Sequence, residues 1–386
     1  MKTINDIDIN NKNIILRCDY NVPVENGVIV DNTKIKSSIK TIKYLLEHNC
    51  RVVIMSHFGR IKSIDDKKSN SLKPIAKELA NLLGKKVKFI DQPSGTKVKE
   101  IVDKCPKGSV IVLENTRFMD LDNKKESNND IDLANFFASL GEIYINDAFA
   151  SMHRAHASTA GICAFIPHAI GFSAMDEISN LDILINNTPH PFGVFMGGAK
   201  VDDKLPVIES LLDRCDCLML GGGIANSFLK AKGLNVGSSL ATTDEHILQK
   251  LQELLKKYQN KIILPVDFVI NKDAIMDVGP KTIDLFSKCC QKCEILFVNG
   301  TCGKYEDEKY ADGTKGLFEG LIKSGKKVIV GGGDTTAAAR KFGYIDKLSY
   351  ASNGGGATLE YIANKKLTAM EWLNDEDSYM QFKKRT

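Results

Sequence analysis

Short apolar runs alternate with stretches of helical periodicity along the first half of the chain. Short β-branched runs of this kind are typical of strands that are buried on both faces of a sheet. The predicted strands are residues 13–16, 51–55, 86–90, 110–113 and 142–145. The helical stretches between them include residues 35–47, 72–83 and 131–140. The polar segment 120–130 is predicted to be a loop, and we assign it no function.

The second half of the chain repeats the same alternation. Its predicted strands are residues 192–196, 217–220, 262–265, 295–298, 328–330 and 347–350. Its helical stretches include residues 204–213, 224–231, 244–258, 315–324 and 335–342. Strand–helix–strand order predicts parallel sheets that are covered by helices on both faces and joined by right-handed crossovers. We therefore predict an α/β fold with two doubly wound, Rossmann-like domains.

A helical stretch between the two halves predicts how the domains are joined. Residues 170–187 have helical periodicity, and Pro189 and Pro191 break it. We assign residues 1–168 to an N-terminal domain, residues 169–187 to an interdomain hinge helix and residues 188–365 to a C-terminal domain. A length of 386 residues suits two domains, each large enough to bury a core of its own.

The charge and the hydropathy of the chain argue against binding to nucleic acid or to membranes. Lys and Arg total 52 against 48 Asp and Glu, which gives a formal net charge of +4. This excess is too small and too evenly spread to predict binding to nucleic acid or to a membrane surface. The amino terminus has no apolar signal segment, and no run approaches the roughly 18 apolar residues of a spanning helix. We therefore expect a cytoplasmic protein.

Ten cysteines raise the question of a metal site. Cys289, Cys290 and Cys293 are close in sequence and could offer thiolate ligands to zinc. The sequence has neither a second paired cluster nor a downstream histidine pair. We therefore favour reduced, partly buried thiols in a cytosol.

Glycines carry the strongest chemical signal in the second half. Triplets occupy residues 221–223, 331–333 and 354–356, and a pair occupies residues 197–198. A strand–glycine–helix turn lets backbone N–H groups and a helix N-terminus approach a phosphate. Tight turns and close packing explain one such loop but explain three poorly, so we predict phosphate binding. The Walker A pattern and the dinucleotide fingerprint are both absent, so neither a P-loop enzyme nor a dehydrogenase is predicted.

Charged side chains accompany these glycines. Lys200 and Lys204 follow the glycine pair four residues apart, a spacing that lets both lie on one face of a helix start. Asp334 directly follows the second triplet, and a carboxylate beside bound phosphates suits Mg²⁺. Asp334 also suits a simple helix cap, and both roles can hold at once.

Cationic side chains recur in the first half, at the carboxyl ends of predicted strands. Such ends meet at one edge of a parallel sheet. The groups there are Arg17, Asp19, Asn21, His57, Arg60, Arg117, Asp147, His153, Arg154 and His156. The arginines predict a small, multiply charged anion that is held partly by bidentate contacts. A rival interpretation makes Asp147, His153 and His156 a metal triad, although the arginines would repel a cation. An anion in one domain and nucleotide phosphates in the other indicate a kinase.

Eight motifs resemble those of the phosphoglycerate kinase family. The first half contains R-C-D-Y-N-V-P-V (17–24), S-H-F-G-R (56–60), E-N-T-R-F (114–118) and I-N-D-A-F…H-R-A-H (145–156). The second half contains G-G-A-K-V-D-D-K (197–204), L-P-V-D-F (264–268), G-G-G-D-T (331–335) and G-G-G-A-T-L-E (354–360). The motifs appear in the family's order over nearly the whole chain.

The resemblance implies reversible phosphoryl transfer between ATP and 3-phospho-D-glycerate by a cytoplasmic, usually monomeric glycolytic enzyme with Mg²⁺. It implies that residues 1–168 bind phosphoglycerate, residues 188–365 bind nucleotide and residues 366–386 pack back toward the N-terminal domain. The implied substrate-binding residues are Asp19, Asn21, Lys34, His57, Phe58, Gly59, Arg60, Arg117, His153 and Arg154. The implied nucleotide-binding residues are Gly198, Lys200, Lys204, Gly222, Asn299, Glu306, Gly332, Gly333, Asp334 and Thr335, with Asp334 as the metal ligand. The implied catalytic residues are Lys34, Lys200, Gly333 and Gly356.

Three departures from the family pattern bear on turnover. Lys34, in D-N-T-K-I, stands where the family has an arginine, so it keeps the charge but loses the planar fork. The family's W-N-G-P-x-G-V-F-E appears as V-N-G-T-C-G-K-Y-E (298–306), without the tryptophan and the proline. The loop between Val269 and Asp277, near the expected adenine pocket, is shorter than usual. The alternative to a working kinase is therefore a weakened member that is retained for ligand binding or scaffolding.

Overall fold

The computed structural model describes residues 1–25 and 27–374, and the chain folds into two compact units. Unit 1 comprises Met1–Ile178 and Lys366–Thr386, and unit 2 comprises Ser179–Lys365. The division falls within the stretch that was predicted to be an interdomain helix, whose role as a hinge stays a prediction. Residues 375–386 of the predicted C-terminal segment lie outside the described residues.

Unit 1 is built on a six-stranded parallel sheet among its described residues. The strands of this sheet are β1 (Asn13–Arg17), β4 (Arg51–Met55), β5 (Val87–Ile90), β6 (Val110–Leu113), β7 (Ile143–Asn146) and β8 (His168–Ile170). Two further strands, β2 (Val24–Glu25) and β3 (Val28–Ile29), form a separate short hairpin. Its helices up to the division are α1 (Thr33–Ser37), α2 (Ile39–Glu47), α3 (Asp66–Ser69), α4 (Lys73–Leu83), α5 (Thr96–Asp103), α6 (Ile131–Ala138) and α7 (Phe172–Asp182). The strand order is β5-β6-β4-β1-β7-β8, so β1 lies in the middle of the sheet.

Unit 2, all of which the structure describes, has a second six-stranded parallel sheet in the order β11-β10-β9-β14-β15-β16. Its strands are β9 (Phe192–Met196), β10 (Cys217–Leu220), β11 (Ile262–Ile263), β12 (Phe268–Asn271), β13 (Ala274–Val278), β14 (Ile295–Asn299), β15 (Lys327–Gly331) and β16 (Tyr350–Ala351). Its helices are α8 (Leu205–Arg214), α9 (Gly222–Ala231), α10 (Glu245–Lys257), α11 (Pro280–Lys292), α12 (Asp312–Lys323), α13 (Gly333–Lys341) and α14 (Gly356–Asn364). Strands β12 and β13 form a separate antiparallel hairpin.

The last described helix, α15 (Thr368–Asn374), belongs to unit 1. The backbone N–H of Ala369 donates to the carbonyl of Met152 at 2.7 Å, which ties α15 to the segment after β7. Among the helices of the described ranges, none combines the length and the apolar character that crossing a bilayer requires.

The prediction of an α/β fold with two doubly wound parallel sheets is confirmed. All five residues of β4, β9 and β14 are buried, as expected for strands that are covered on both faces. Each unit has a hydrophobic core of its own, with Leu16 and Ile54 in unit 1 and Val298 and Phe318 in unit 2. The buried strands bring their carboxyl ends to one edge of each sheet.

Three predicted elements differ from the structure. The predicted helix 35–47 is split at Ser38, because the Ser38 hydroxyl donates to the carbonyl of Ile35 at 2.8 Å and competes with helical backbone bonds. The strand predicted at 347–350 is wrong in position, since a 3₁₀ turn occupies Ile345–Lys347 and the strand is Tyr350–Ala351. Strand β11 ends at Ile263 rather than at Pro265, which has no N–H to donate to the sheet. The prediction also lacked α11 and the hairpin of β12 and β13.

Candidate functional sites

The segment after β1 contacts the turn after β4 through predicted site residues of unit 1. The ammonium group of Lys34 on α1 forms an ion pair with Asp19, with Nζ 2.6 Å from Oδ2. The Oδ1 atom of Asn21 accepts a hydrogen bond from the Gly59 N–H at 3.0 Å. Gly59 has a φ of +60°, and an added Cβ would lie 2.0 Å from Oδ1 of Asn70. Glycine is therefore required for this turn.

The buried amide of Asn115 holds the turn that carries residues 57–60. Its Oδ1 atom accepts from the N–H groups of Phe58 and Arg117, both at 3.1 Å. Its Nδ2 atom donates to the carbonyls of Phe58 at 2.6 Å and Asn70 at 2.9 Å. Because Asn115 bonds both backbone groups of Phe58, it sets the orientation of the whole turn. The sequence predicts no role for Asn115, since its partners Phe58 and Asn70 come from other segments.

Two predicted arginines add positive charge beside this turn. Arg117 donates from Nη1 to the Gly59 carbonyl at 3.1 Å, and its Nε is buried without a hydrogen-bond partner among the described residues. Arg154 donates from Nε to Nε2 of His153 at 3.0 Å. Burial, followed by the charge of Arg154, lowers the pKa of Arg117 and of His153. Arg60 is exposed at the end of the turn.

The histidines of this region are neutral at physiological pH. Burial, assisted by Arg17 and Arg117, lowers the pKa of His57 well below its ordinary value of 6.5. The same causes lower the pKa of His156 to about 3. The arginines and Lys34 therefore carry the positive charge of the region. This arrangement suits a small, multiply charged anion.

The rival metal sites gain no geometric support. Within residues 1–25 and 27–374, no group of three His, Cys, Asp or Glu side chains could hold a metal ion. Asp147 accepts a hydrogen bond from the Ala174 N–H at 3.1 Å and so caps α7. Cys289, Cys290 and Cys293 are free thiols.

In unit 2, a cavity of about 200 Å³ lies at the N-termini of α13 and α14. It brings together seven predicted residues: Lys204, Asn299, Gly332, Gly333, Asp334, Thr335 and Gly356. An added Cβ at Gly333 or Gly356 would meet no atom of the described residues within 4 Å. Internal packing therefore does not require glycine at these two positions. The open space suits an anion that approaches two helix N-termini.

Lys204 supplies the positive charge of this cavity. Its Nζ donates to the carbonyl of Gly197 at 2.7 Å and to Oδ1 of Asn299 at 2.5 Å. The other side of the Asn299 amide donates to the Gly331 carbonyl at 2.8 Å, which connects β14 with β15. Burial lowers the pKa of Lys204 to about 8, and the nearby carboxylate of Asp334 opposes this shift. Two hydrogen bonds thus hold the Lys204 ammonium group in place, and its lowered pKa of about 8 lies close to physiological pH.

A larger cavity of about 400 Å³ contains the predicted residues Gly198, Gly222, Glu306 and Asp334. Residues 274–276 of β13 also line it, so the hairpin that sequence reasoning missed forms part of this site. Asp334 lines both cavities, whereas Lys200 is exposed and lines neither of these two. One cavity suits a phosphate chain, and the other is large enough for a flat ring.

The glycines of the triplet 221–223 differ from Gly333 in their surroundings. A Cβ at Gly223 would lie 2.1 Å from the Ala199 carbonyl oxygen, and one at Gly221 would lie 2.7 Å from the Phe195 ring. Gly222 has a φ of +59° and would place a Cβ 2.9 Å from the Gly198 carbonyl oxygen. Close packing therefore requires glycine at these three positions, although Gly222 and Gly223 also line the cavity of about 400 Å³.

Comparisons with known proteins agree on one family. The model of the phosphoglycerate kinase family matches residues 4–365. The phosphoglycerate kinase of Fusobacterium nucleatum is 41% identical over 398 aligned positions, which cover 97% of this chain and 100% of the relative. That of Enterococcus faecalis is 40% identical over 396 positions, which cover 97% and 99%.

Solved structures give the same result for the fold. The structure of phosphoglycerate kinase from Coxiella burnetii has a TM-score of 0.84 at 35% identity, and the match covers 96% of this chain and 98% of the other. The crystal structure of phosphoglycerate kinase from Pyrococcus horikoshii has a TM-score of 0.86 at 29% identity, with coverage of 99% and 100%.

Proposed function

Because the chain belongs to the phosphoglycerate kinase family, we propose that it transfers a phosphoryl group reversibly between ATP and 3-phospho-D-glycerate. The products are ADP and 1,3-bisphosphoglycerate, and the reaction belongs to glycolysis and gluconeogenesis. The family predicted from the eight motifs is confirmed by the family model and by relatives that match nearly the whole chain. The protein is accordingly a phosphotransferase with a carboxyl group as acceptor.

The open glycines carry the nucleotide half of the proposal. Gly333 and Gly356 face the cavity of about 200 Å³ with free space where a side chain would stand. Free space at two helix N-termini, next to the ammonium group of Lys204, is what a phosphate chain requires. We assign the phosphates to this cavity and the nucleoside to the neighbouring cavity of about 400 Å³.

Asp334 is the residue that fits Mg²⁺. Its carboxylate is exposed in the first turn of α13 and lines both cavities. Mg²⁺ in nucleotide sites commonly takes one or two carboxylates together with phosphate oxygens and water, so a single aspartate suffices. When bound, the ion neutralises charge on the phosphate oxygens.

The phosphoglycerate half of the proposal rests on the cationic region of unit 1. The buried Nε of Arg117, which has no partner among the described residues, is a donor that an anionic ligand can satisfy. Arg154 is exposed beside it, and Asn21 and Lys34 border the same turn through Gly59 and Asp19. We assign the carboxylate and the phosphate of the substrate to these donors.

The proposed chemistry needs charge stabilisation rather than a base. The accepting group is already a carboxylate, so no proton has to be removed before attack. Lys34 and Lys200 stabilise the transferring phosphoryl group, and the N–H groups of Gly333 and Gly356 donate to its oxygens. In the described structure one N–H of the Lys34 ammonium group donates to Asp19, and its two other N–H groups can donate to a phosphoryl oxygen.

The proposal includes the organisation of the whole chain. Residues 1–168 bind phosphoglycerate, residues 188–365 bind Mg-nucleotide, and residues 169–187 form the hinge between them. The described part of the C-terminal segment, which includes α15, belongs to the N-terminal domain. We propose a cytoplasmic monomer whose partners are these small molecules.

Turnover of the purified protein tests the proposal. We expect Mg-ATP and 3-phosphoglycerate to give 1,3-bisphosphoglycerate, detected by a coupled reductive step, and we expect turnover to require both substrates and Mg²⁺. Calorimetric titration with each substrate alone is the matched measurement. Binding of both ligands without turnover would contradict catalysis and support the binding-only alternative.

A further inference from the structure

Glu126 is a fully buried carboxylate in the polar segment 120–130, to which sequence analysis assigned no function. Both of its oxygens accept hydrogen bonds from Ser158. The Ser158 hydroxyl donates to Oε1, and the Ser158 N–H donates to Oε2 at 3.1 Å. Burying a carboxylate costs free energy unless it is paired or hydrogen-bonded, and the bonds from Ser158 offset part of this cost.

Ser158 connects Glu126 with the cationic region. Its hydroxyl oxygen accepts a hydrogen bond from Nε of Arg17 at 3.0 Å while its proton goes to Glu126. Arg17 is itself fully buried, and its Nη2 lies 3.1 Å from Nδ1 of His57. The side chains therefore form one continuous series: Glu126, Ser158, Arg17 and His57.

This series determines which nitrogen of His57 carries the proton. An arginine has only donors, so the 3.1 Å contact requires Nδ1 of His57 to accept and to have no proton. His57 is neutral because burial, together with Arg17, Arg117, His156 and Lys34, holds its pKa well below 6.5. A neutral ring with a free Nδ1 carries its single proton on Nε2.

Glu126 is also the buried counter-charge of the region. Burial raises its pKa, whereas Arg17 and the bonds from Ser158 act in the opposite direction and favour the carboxylate. Arg17, Arg117 and Arg154 all contribute to lowering the pKa of His156, so each adds positive charge to the surroundings of this ring. Without a buried anion, Arg17 would be a desolvated charge with no counter-ion.

We propose that Glu126 and Ser158 are positioning residues that hold Arg17 and thereby fix His57 as a neutral Nε2–H donor to the anionic substrate. This inference rests on the proposed function, because it names the groups that prepare the same phosphoglycerate site. Glu126 and Ser158 act through Arg17 and His57 and do not touch the substrate themselves.

Nitrogen NMR of the histidine side chains in the full-length protein, without substrate, tests the tautomer directly. We expect His57 to be the Nε2–H tautomer in the unaltered protein and to become a mixture of tautomers in Ser158→Ala. Ser158→Thr keeps the hydroxyl and should restore the single tautomer. The Nδ1–H form in the unaltered protein, or an unchanged signal in Ser158→Ala, would overturn the proposal.

Kinetics separates positioning from a merely structural role. We expect Ser158→Ala and Glu126→Gln to raise KM for 3-phosphoglycerate by roughly tenfold, because a charge-assisted contact is lost, and to leave KM for ATP unchanged. Asp147→Asn is the matched control, since Asp147 is also a buried carboxylate of unit 1 but caps α7. It should lower stability without separating the two KM values.

Equal rises in both KM values, or the same separation in Asp147→Asn, would refute the positioning role. The NMR measurement uses no substrate, so it remains decisive if the proposed function fails. A protein with the expected tautomers but without turnover would contradict the kinase and support the positioning series.

Discussion

The two candidate sites gather positive charge in different ways. In unit 1 the charge lies on side chains, chiefly Arg117, Arg154 and Lys34. Arg117 donates to the Gly59 carbonyl, Arg154 donates to His153, and Lys34 pairs with Asp19. In unit 2 the small cavity has a single cationic side chain among its lining residues, Lys204, beside two helix N-termini. Anion binding in unit 1 depends on contacts that orient charged side chains. Anion binding in unit 2 depends on open space in front of backbone N–H groups.

This difference predicts which kind of substitution should weaken ligand binding at each site. A side-chain site is damaged when a supporting hydrogen bond is removed, because the charged group then loses its orientation. A backbone site is damaged when atoms are added, because a ligand can no longer approach the N–H groups. Substitutions in the two units should therefore separate the KM values for the two substrates.

The largest effect is expected for Lys34→Ala, which removes the charge that we assign to the transferring phosphoryl group. We expect kcat to fall by roughly two to three orders of magnitude. Lys34→Arg should keep or raise kcat, because it restores the planar fork. Steady-state kinetics with both substrates saturating measures the change, and thermal unfolding controls for stability. Full activity of Lys34→Ala would show that another group supplies this charge.

Two glycine substitutions in unit 2 should differ in their effect on stability. Gly333→Ala places a methyl group in open space, so we expect unchanged stability and a KM for ATP that is raised by about tenfold or more. Gly223→Ala places a methyl group 2.1 Å from the Ala199 carbonyl oxygen, so we expect a loss of about 1–3 kcal/mol of unfolding free energy.

Denaturant titration and the KM for ATP measure both glycine variants. A stability loss in Gly333→Ala with unaltered ATP binding would show that this glycine serves packing, as in the triplet 221–223.

Asn115→Ala should damage unit 1 through lost support. We expect about 1–3 kcal/mol less unfolding free energy, because the buried backbone groups of Phe58 lose their partner. KM for 3-phosphoglycerate should rise several-fold while KM for ATP stays constant. Denaturant titration combined with both KM values checks this expectation. A parallel rise in the two values would mean that the turn does not act on phosphoglycerate alone.

The smallest effect concerns pH and Lys204. Its pKa in the folded protein is lowered from 10.5 to about 8, so the folded protein loses this charge as pH rises through about 8. We expect kcat/KM for ATP to fall above that pH, and Lys204→Arg should move the fall to higher pH.

The same shift has a consequence for stability. Between about pH 8 and 10.5 the unfolded chain binds this proton more than the folded protein does, so the contribution of Lys204 to stability rises with pH.

A profile of kcat/KM for ATP that stays flat to pH 10 would show that Lys204 does not titrate in this range.

Much of the fold was predictable because it depends on local pattern. Residues 52–55 and 110–113 are continuously apolar, and the strands that contain them, Arg51–Met55 and Val110–Leu113, have the predicted bounds. The split at Ser38 was not predictable from periodicity, since its hydroxyl bonds both the Ile35 carbonyl and the hydroxyl of Tyr20. Helix α11 was missed although its apolar positions follow helical spacing, so the signal was present there.

The candidate sites were predictable as residue types at strand ends and glycine turns. The sequence did not predict which of these glycines are needed for packing and which face a cavity. The triplets 221–223 and 331–333 look alike in sequence, yet a Cβ meets a carbonyl oxygen at Gly223 and open space at Gly333. Glu126 gave no signal at all, because its polar neighbours suggested an exposed loop and the structure buries it.

The sequence by itself determined the family, the α/β class and the residue types at the strand ends, because ordered motifs and hydrophobic periodicity involve residues close together in the chain. Only the tertiary structure decided which carboxylate is buried, which glycine faces a cavity and which nitrogen of His57 lies against Arg17. These properties depend on partners from distant segments, such as Ser158, which is 32 positions from Glu126 and 141 positions from Arg17. Contacts of this kind form only when the sheets and their connecting segments have packed.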